Sequence, residues 1–295
     1  MTRTGAIDLG KTRCRLAVGE GDARVLVDGR GSPGLAAADG VDHALAAILP
    51  LLEGTDPTAL GVGAAGALFA ADRAAELARR LAAACGIPVA VASDVVTAHA
   101  GALHGGPGVL LLAGTGAVAF GLDEEGHRLA DGWGPELGDF GSGSWIGREG
   151  VRAVLRAGVG LGAPTRLTAD LAAVFGDRSP VAWLADGDAP VGQRLGTVAP
   201  FVLDAAADGD PAAVGIVDEA VRLLGASASA AAADGGPLAL HGGLTSHPFF
   251  HARLVDEVVA RGFVLVPSPG DALDGAALIA ARRAPLHERY VHRAG

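Results

Sequence analysis

The segment 132–150, GWGPELGDFGSGSWIGREG, holds the residue types best suited to bind a small polar molecule. Its first sixteen residues include six glycines, two tryptophans and the acids Glu136 and Asp139. Dense glycine lets backbone amides approach a ligand, and the helix predicted from about Trp145 favours polar or anionic groups at its N-terminus. Trp133 offers a flat apolar face, and Asp139 is a strong acceptor for hydroxyl groups. A glycine-rich surface loop with buried tryptophans is the structural alternative that this segment alone leaves open.

A glycine turn near the start of the chain has the composition of a phosphate site. Asp8, Gly10, Lys11 and Thr12 lie between two short apolar runs, which predicts a strand, a tight turn and a returning strand. Backbone amides and hydroxyls in such a turn can surround phosphate oxygens, and Lys11 and Arg15 can neutralise their charge. Asp8 can hold magnesium directly or through water, because this hard cation prefers carboxylates and water. An ordinary hairpin turn explains so short a motif as well.

A second glycine turn, Gly114-Thr115-Gly116, again lies between two apolar runs. Both turns join two strands, so neither is the strand-to-helix turn of a dinucleotide-binding protein, and the GxxxxGK[ST] phosphate loop is missing from the sequence. We therefore expect two phosphate-binding hairpins. Lys11 is the only lysine of the chain, which makes a plain solvated charge the less favoured explanation for it.

The elements that must position these turns follow from hydrophobic periodicity. The first third predicts the order β-β-β-α-β-α-β-α, including a helix over 38–52 that Asp39 caps and a helix that follows Ser93-Asp94. From 109 the order starts again with strand, glycine turn and strand, and helices then dominate 145–232. We predict an α/β protein made of a duplicated unit, with a domain at 1–104 and a second at 105–295 that carries a helical insertion. The last helix, 274–283, is expected to pack back on the first domain.

Composition narrows the class of protein. The chain has 295 residues, a net charge of −10 and two cysteines. The negative charge argues against nucleic acid or an anionic membrane surface as a partner, and two cysteines are too few for a disulfide framework or a structural zinc site. An apolar run of membrane-spanning length and a signal-peptide core are both missing, so we expect a cytoplasmic protein.

Taken in order, the motifs resemble a known family. They are Asp8-Leu-Gly-Lys-Thr12, Ala92-Ser-Asp94, Ala113-Gly-Thr-Gly116, Gly132-Trp-Gly134 with Leu137-Gly-Asp139 and Gly141-Ser-Gly143, and Gly242-Gly243. This set is similar to the BadF/BadG-type ATPases and N-acetylglucosamine kinases of the actin/hexokinase superfamily, and most similar to the N-acetylglucosamine and glucosamine kinases. The resemblance covers residues 5 to about 283. It implies two ribonuclease-H-like domains with a central cleft in which ATP and sugar meet.

The resemblance also implies roles for single residues. Asp94 matches the general base that takes the proton of the sugar's 6-hydroxyl, although an acid before an apolar helix is also typical of an N-cap. The positions that match sugar contacts are Thr115, Gly132, Trp133 and Asp139. Gly242 and Gly243 match the turn that receives adenosine. Mg²⁺ and ATP are the implied cofactor and co-substrate.

Three departures from the family pattern affect the expected substrate. Lys11 replaces a second glycine of the first turn, Phe140 replaces an acid after Asp139, and Ser32 lies in the loop where N-acetyl sugar kinases commonly carry asparagine. The additional acid Glu136 can meet a free 2-ammonium group by charge-assisted hydrogen bonds, and Glu149 of the following helix adds a further carboxylate.

The sequence therefore predicts an ATP-dependent kinase for the 6-hydroxyl of glucosamine, acting as a monomer or homodimer on small molecules. N-acetylglucosamine kinase is the first alternative. A BadF-type ATPase that activates a redox enzyme through an iron-sulfur cluster shared across a dimer is the second, and it would need surface cysteines such as Cys85. A non-catalytic sugar sensor is disfavoured because the phosphate turn begins at once at Asp8.

Overall fold

A computed structural model describes residues 3–19, 24–232, 234–268 and 270–295. The chain divides into two compact units, one formed by 1–107 with 267–295 and the other by 108–266. Each unit contains one mixed β-sheet with helices packed against it.

The first third of the chain has the predicted order β-β-β-α-β-α-β-α. In chain order the strands are β1 (Thr4–Leu9), β2 (Arg13–Val18), β3 (Val25–Arg30), β4 (Ala59–Ala64), β5 (Val89–Ser93), β6 (Gly108–Ala113), β7 (Ala117–Leu122), β8 (His127–Asp131), β9 (Gly236–His241), β10 (Phe263–Leu265) and β11 (His292–Ala294). The α-helices are α1 (Gly40–Leu52), α2 (Ala71–Cys85), α3 (Asp94–Ala102), α4 (Gly143–Gly158), α5 (Leu167–Asp170), α6 (Ala172–Phe175), α7 (Pro180–Ala185), α8 (Val191–Gly196), α9 (Ala199–Ala207), α10 (Pro211–Ala231), α11 (Pro248–Ala260) and α12 (Ala272–Ala280). Short 3₁₀ segments occupy Ala67–Phe69, Gly243–Ser246 and Pro285–Tyr290.

The two sheets share one strand order. In the first unit the order is β11-β5-β4-β1-β2-β3, and in the second it is β10-β9-β6-β7-β8. The first three strands of each unit form an antiparallel meander, and the later strands pair in parallel with the first. Apart from the added edge strand β11, which runs antiparallel to β5, the second order repeats the first. The predicted duplication of an α/β unit is therefore confirmed.

The first sheet shows why alternation in its strands produces a two-sided core. Ile7 and Leu9 of β1 are fully buried in the cluster that α1 and α2 cover, whereas Ala6 lies on the opposite face against Leu273 and Ala276 of α12. Successive side chains of a strand point to opposite faces, so large residues fill one side and small residues admit a helix closely on the other.

The C-terminal segment belongs to the first unit. Helix α12 packs against β1, β4 and α3, and a Cβ added to Gly275 would collide with the Thr97 carbonyl of α3. Glycine permits this close helix–helix approach, and burial of the apolar face of α12 fixes the segment there. The second unit consequently ends at Val266, so the first unit includes more of the C-terminal segment than the predicted helix 274–283 alone.

Several predicted elements differ from the observed ones. Asp39 is the N-cap residue of α1, as predicted, but it has φ +51° and its side chain makes no capping hydrogen bond. The predicted helical stretch 145–232 contains α4 to α10, of which α5 to α8 are short. Helix α11 was not predicted.

Among the residues that the structure describes, no helix is both long enough and apolar enough to cross a membrane.

Candidate functional site

Two acids of the first unit lie at the same edge of its sheet. Strands β1, β4 and β5 run parallel; Leu9 aligns with Ala64, and Ala64 aligns with Ser93. Asp8 precedes Leu9 and Asp94 follows Ser93, so both carboxylates are placed where parallel strands end. Neighbouring strands are about 5 Å apart, which sets the two strand ends about 10 Å from each other. This is the edge at which α/β proteins usually bind ligands.

Asp94 is the first residue of α3, and its carboxylate is held on one side only. Its Oδ1 accepts hydrogen bonds from the Ser93 hydroxyl and the Val95 amide, both at 2.9 Å. Within the described part of the chain, Oδ2 accepts no hydrogen bond. An N-cap side chain would bond the amide two or three residues further on, and Asp94 makes no such bond. Asp94 therefore has the geometry of an oriented carboxylate with one free oxygen.

The environment of Asp94 shifts its proton affinity. Burial raises the pKa of the Asp94 carboxyl, the bonds from Ser93 and Val95 oppose that shift, Asp8 adds to it, and the positive charge of Lys11 lowers it. A raised pKa brings a carboxylate closer to the range in which it accepts a proton efficiently at neutral pH.

The first glycine turn is closed by backbone bonds and packed against a second loop. The Gly10 amide donates to the Arg13 carbonyl at 2.9 Å, and the Ser32 amide donates to the Gly10 carbonyl at 3.1 Å. A Cβ added to Gly31 would collide with the backbone of this turn, so the two loops touch through their main chains. Lys11 and Thr12 are exposed, and in the described residues Lys11 has no ion-pair or hydrogen-bond partner.

Arg15, predicted as a phosphate contact, is paired with two carboxylates. Its Nη2 lies 2.8 Å from Asp8 Oδ2, and its Nη1 lies 2.8 Å from Asp271 Oδ2. Asp271 also caps α12 through a reciprocal box with Asp274. Although burial alone would raise it, the pKa of Asp271 is lowered because Arg15 and backbone amides stabilise the carboxylate. Arg15 thus joins the C-terminal helix to the first turn, and its charge is largely neutralised.

The Asp8 carboxylate fits a hydrated metal ion better than a closed metal site. Arg15 bonds Oδ2 of Asp8, and Oδ1 accepts no bond in the described residues. Over the same residues, no group of three or more His, Cys, Asp or Glu side chains is assembled for a metal. Mg²⁺ is commonly held by one or two carboxylates together with waters and substrate phosphates, which agrees with the single free oxygen.

Ser32 has a buried hydroxyl without a partner. Its side chain is 3% exposed, and its Oγ makes no hydrogen bond. An unpaired buried hydroxyl costs free energy and calls for an explanation, and a ligand group bound beside the loop is one.

In the second unit the Gly114–Gly116 turn is tied to the start of α4. The Gly114 amide bonds the Gly116 carbonyl at 3.0 Å, which closes the turn between β6 and β7. The amides of Gly143 and Ser144 donate to the carbonyls of Gly114 and Thr115 at 2.8 and 3.0 Å. Ser142 is the N-cap of α4 and accepts from the Trp145 amide, so Asp139 is not the cap.

The loop between β8 and α4 is organised by Asp131, which sequence reasoning missed. Oδ1 of Asp131 accepts from the amides of Gly132 and Asp139 at 2.8 Å, and Oδ2 accepts from the Phe140 amide at 2.6 Å. An acid directly before Gly-Trp-Gly was the available signal. One buried carboxylate therefore ties the two ends of the loop together.

Asp139 lies half-buried at the end of this loop with φ +53°. Burial raises the pKa of its carboxyl, the Ala117 and Gly134 amides counteract that shift, and the neighbouring charges of Asp131 and Glu136 add to it. The loop therefore gathers three carboxylates, of which Glu136 is exposed and, within the described residues, unpaired.

Trp133 extends from the same loop. It is 66% exposed, and its ring meets Phe140 edge-on at 6.4 Å between centroids. An indole held in solvent beside carboxylates is a platform suited to the apolar face of a sugar. Glu149, by contrast, lies within α4, where its carboxylate pairs with Arg152 at 2.6 Å and with Arg156 at 3.8 Å. Its charge is therefore neutralised by residues of the same helix.

A cavity of about 490 Å³ opens beside the second glycine turn, within the second unit. It brings together the predicted phosphate turn and the predicted adenosine turn with helices α8 and α9 and the start of α11. Its lining is Gly114, Thr115, Gly143, Gly196, Ala199, Pro200, Leu203, Gly243, Leu244, Ser246 and His247. The contribution of α8 and α9 was not predicted, because Ala, Pro and Leu carry no chemical signal in sequence. Gly242, at φ +112°, packs on the Ala113 backbone beneath this lining.

The model of the BadF/BadG/BcrA/BcrD ATPase family matches residues 7–280, which is nearly the whole chain and includes both glycine turns. The chain belongs to this family. The resemblance inferred from the motifs is confirmed by that match.

Two curated relatives of this family member are similar over part of their length. An N-acetyl-D-glucosamine kinase of Dictyostelium discoideum is 34% identical over 107 residues, covering 35% of this chain and 34% of the relative. An N-acetylmuramic acid/N-acetylglucosamine kinase of Clostridium acetobutylicum is 33% identical over 84 residues, covering 28% of each. The aligned region thus spans about a third of each relative or less.

Solved structures match over nearly the full length. A candidate N-acetylglucosamine kinase from Chromobacterium violaceum has 27% identity and a TM-score of 0.76, and covers 95% of this chain and 99% of that one. A ROK family glucokinase from Streptomyces griseus, solved with glucose and AMPPNP, has 22% identity and a TM-score of 0.56 over 95% of this chain and 99% of that one. The predicted fold class, two α/β units of the actin/hexokinase type, is confirmed by these neighbours.

Proposed function

We propose that this protein is an ATP-dependent sugar kinase of the N-acetylglucosamine kinase type that phosphorylates the 6-hydroxyl of an amino sugar. The observation that carries the proposal is the edge of the first sheet. At that edge, one carboxylate oxygen of Asp94 accepts two hydrogen bonds and the other is free within the described residues. The glycine turn that carries Lys11, a cation without a partner in the described residues, lies at the same edge. Proton acceptance and phosphate binding are the two tasks that phosphoryl transfer to a hydroxyl requires.

In the proposed reaction the 6-hydroxyl oxygen of the sugar forms a bond to the γ-phosphorus. Asp94 Oδ2 accepts the proton that this hydroxyl loses. The bond between the γ-phosphorus and the bridging oxygen breaks, and ADP leaves with its electron pair. The Ser93 hydroxyl and the Val95 amide hold the Asp94 carboxylate in one rotamer, which keeps Oδ2 directed. Asp8, through its free Oδ1, would hold Mg²⁺, which when bound would neutralise charge on the phosphates.

Nucleotide binding is proposed for both glycine turns. The first supplies the amides near Gly10, the Thr12 hydroxyl and the ammonium group of Lys11. The second turn, Gly114–Gly116, lines the cavity in the second unit together with Gly243, Leu244 and α9. Mostly apolar walls with few polar groups are typical of a nucleoside site. Arg15 acts on this site by orienting Asp8 instead of touching a phosphate.

For the sugar, the contacts proposed on the first unit are Ser32 and Asp94. On the second unit, considered by itself, the proposed contacts are Thr115, Gly132, Trp133, Glu136 and Asp139. The finer proposal is that the amino sugar is glucosamine. Glu136 and Asp139 belong to the same loop as Trp133, and the carboxylate of Glu136, unpaired within the described residues, is suited to a 2-ammonium group.

N-acetylglucosamine is the second candidate substrate, and it is favoured because both relatives described above are named as kinases of this sugar. An acetamide has no charge to pair with Glu136, so the two substrates make opposite demands on this loop.

A redox-activating ATPase is less well supported by the cysteines. Cys14 is fully buried in β2, where burial raises the pKa of its thiol to about 12. Cys85 ends α2 half-buried, and burial also raises the pKa of its thiol. Thiols of low pKa are typical of helix N-termini and cationic surroundings, whereas Cys85 lies at the C-terminal end of α2.

The test is an ADP-release assay over glucosamine, N-acetylglucosamine, glucose and mannose, followed by phosphorus NMR to locate the new phosphate. We expect turnover with an amino sugar and a 6-phosphate product. The Asp94→Asn variant controls for contaminating kinases. ADP release that no sugar stimulates, together with iron and sulfide in anaerobically purified protein, would replace the kinase by the redox-activating ATPase.

A further inference from the structure

We propose that Asp131 is the positioning residue of the sugar-binding loop 132–139, fixing the places of Trp133 and Asp139; this inference rests on the proposed function. Asp131 is the last residue of β8, and its side chain is 5% exposed. Its hydrogen bonds go to backbone amides and not to the side chains of Trp133 and Asp139, so it holds the backbone that carries them.

The hydrogen bonds of Asp131 close the loop at both ends. One oxygen accepts from Gly132, at the start of the loop, and from Asp139, at its end, while the other accepts from Phe140, one residue further on. A carboxylate has enough lone pairs for all three donors, and charge-assisted bonds to amides are stronger than neutral ones. Eight residues are thereby held as one closed loop.

Two further features show that the surrounding chain is shaped around this carboxylate. Asp131 itself has φ +65°, a conformation that side-chain-bearing residues seldom adopt and that Asp tolerates better than most. A Cβ added to Gly138 would collide with Asp131 Oδ1, so glycine at 138 leaves the space that the carboxylate needs. The positive φ of Asp131 and the glycine at 138 are therefore both consistent with a backbone arranged around this carboxylate.

The consequence concerns preorganisation. Trp133 is largely exposed, so packing alone does not hold the loop that presents it. A second tie comes from Arg148 of α4, whose Nη2 donates to the Pro135 carbonyl in the middle of the loop. With both ties in place, the Trp133 ring and the Asp139 carboxylate are positioned before sugar arrives, which reduces the entropy lost on binding.

The test compares Asp131→Asn and Asp131→Ala with Asp210→Asn. Asn retains one carbonyl oxygen but places an NH₂ group where the other oxygen accepts, and Ala removes all three bonds. Asp210, at the start of α10, is a matched control, because it is also buried and also accepts from backbone amides, those of Arg166 and Ala213. It differs in accepting from the Thr165 hydroxyl as well.

We expect Asp131→Ala to raise the KM for sugar about tenfold or more and to leave the KM for ATP within about twofold, with a smaller sugar effect for Asn. Amide hydrogen exchange should quicken at Gly132, Asp139 and Phe140 in both variants. Asp210→Asn should lower thermal stability without changing either KM. The split between the two KM values is a readout that a general loss of stability would not produce.

A folded Asp131→Asn variant with unchanged sugar KM and unchanged exchange at the three amides would overturn the inference. If the wild-type protein phosphorylates no sugar, the proposed function fails separately, and the exchange measurement still decides whether Asp131 fixes the loop. Unchanged exchange would then reject the positioning role as well.

Discussion

The carboxylate of Asp139 lies so close to Gly116 that a Cβ added there would be 2.9 Å from Oδ2. This contact joins the two segments of the second unit that the motifs single out, the glycine turn after β6 and the loop after β8. Position 116 therefore requires glycine because a side chain there would collide with Asp139, whether or not a ligand is bound.

Gly116→Ala should therefore displace Asp139 and raise the KM for sugar about tenfold or more, because a positioned acceptor moves by several tenths of an ångström. Gly158→Ala is the matched control, since a Cβ at Gly158 meets nothing within 4 Å and the residue ends α4. Steady-state kinetics of both variants check this. Equal sugar KM values in the two would contradict a role for the contact.

Asp94→Asn should lower kcat by roughly 10²–10⁴ while the KM for sugar changes little, because the amide keeps the shape of the carboxylate but cannot accept the proton. Asp72→Asn provides the control, since Asp72 is an exposed acid in the first turn of α2 in the same unit. Near-normal turnover by Asp94→Asn would leave Asp94 a structural residue of α3.

Lys11→Ala should raise the KM for ATP and move the acid limb of the kcat–pH profile to higher pH. The ammonium charge of Lys11 lowers the pKa of Asp94, so its loss stabilises the protonated acid and a higher pH is needed to ionise the base. Lys11→Arg keeps the charge and should restore the profile. An unshifted acid limb with an unchanged KM for ATP would place Lys11 outside the site.

Substrate selectivity should depend on Glu136. We expect kcat/KM for glucosamine to exceed that for N-acetylglucosamine by at least about tenfold, which corresponds to about 1.4 kcal/mol, and Glu136→Gln to shrink this ratio. Glu125→Gln is the control, as its carboxylate lies 85% exposed on the turn between β7 and β8. A wild-type preference for N-acetylglucosamine would reject glucosamine and leave the amino-sugar kinase assignment in place.

A buried histidine pair should make the first unit sensitive to acid. His99 Nδ1 lies 2.9 Å from His287 Nε2, and burial, followed by the charge of His99, lowers the pKa of His287 to about 3 from the usual 6.5. Between these values the unfolded chain binds a proton that the folded chain does not, so stability falls as pH decreases from about 6.5 towards 3.

His287→Gln should flatten part of that fall, which for one group is at most about 1.4 kcal/mol per pH unit. Urea denaturation at several pH values measures the slope, with His43→Gln on the exposed face of α1 as the control. Parallel curves for the wild type and His287→Gln would show that the pair does not contribute.

Local chemistry explains what was predictable from the sequence. The hairpins around Gly10–Thr12 and Gly114–Gly116, the placement of Asp94 at a strand-to-helix junction and the repeated strand order all follow from periodicity of apolar residues and from glycine, which act over a few residues. The motifs that identify the family are short and contiguous for the same reason.

The features that could not be predicted from the sequence depend on contacts between residues far apart in the chain. The Arg15 guanidinium pairs with Asp271, which lies 256 residues later in the chain, and only the burial of α12 against β1 and α3 brings the two together. The cavity wall formed by α8 and α9 consists of residues without chemical signature, and the role of Asp131 depends on amides eight and nine residues away. Sequence thus determined which groups are available for chemistry. The tertiary structure determined which of them remain free, because the ion pairs with Asp8 and Asp271 neutralise Arg15, while Lys11, Glu136 and one oxygen of Asp94 have no such partners within the described residues.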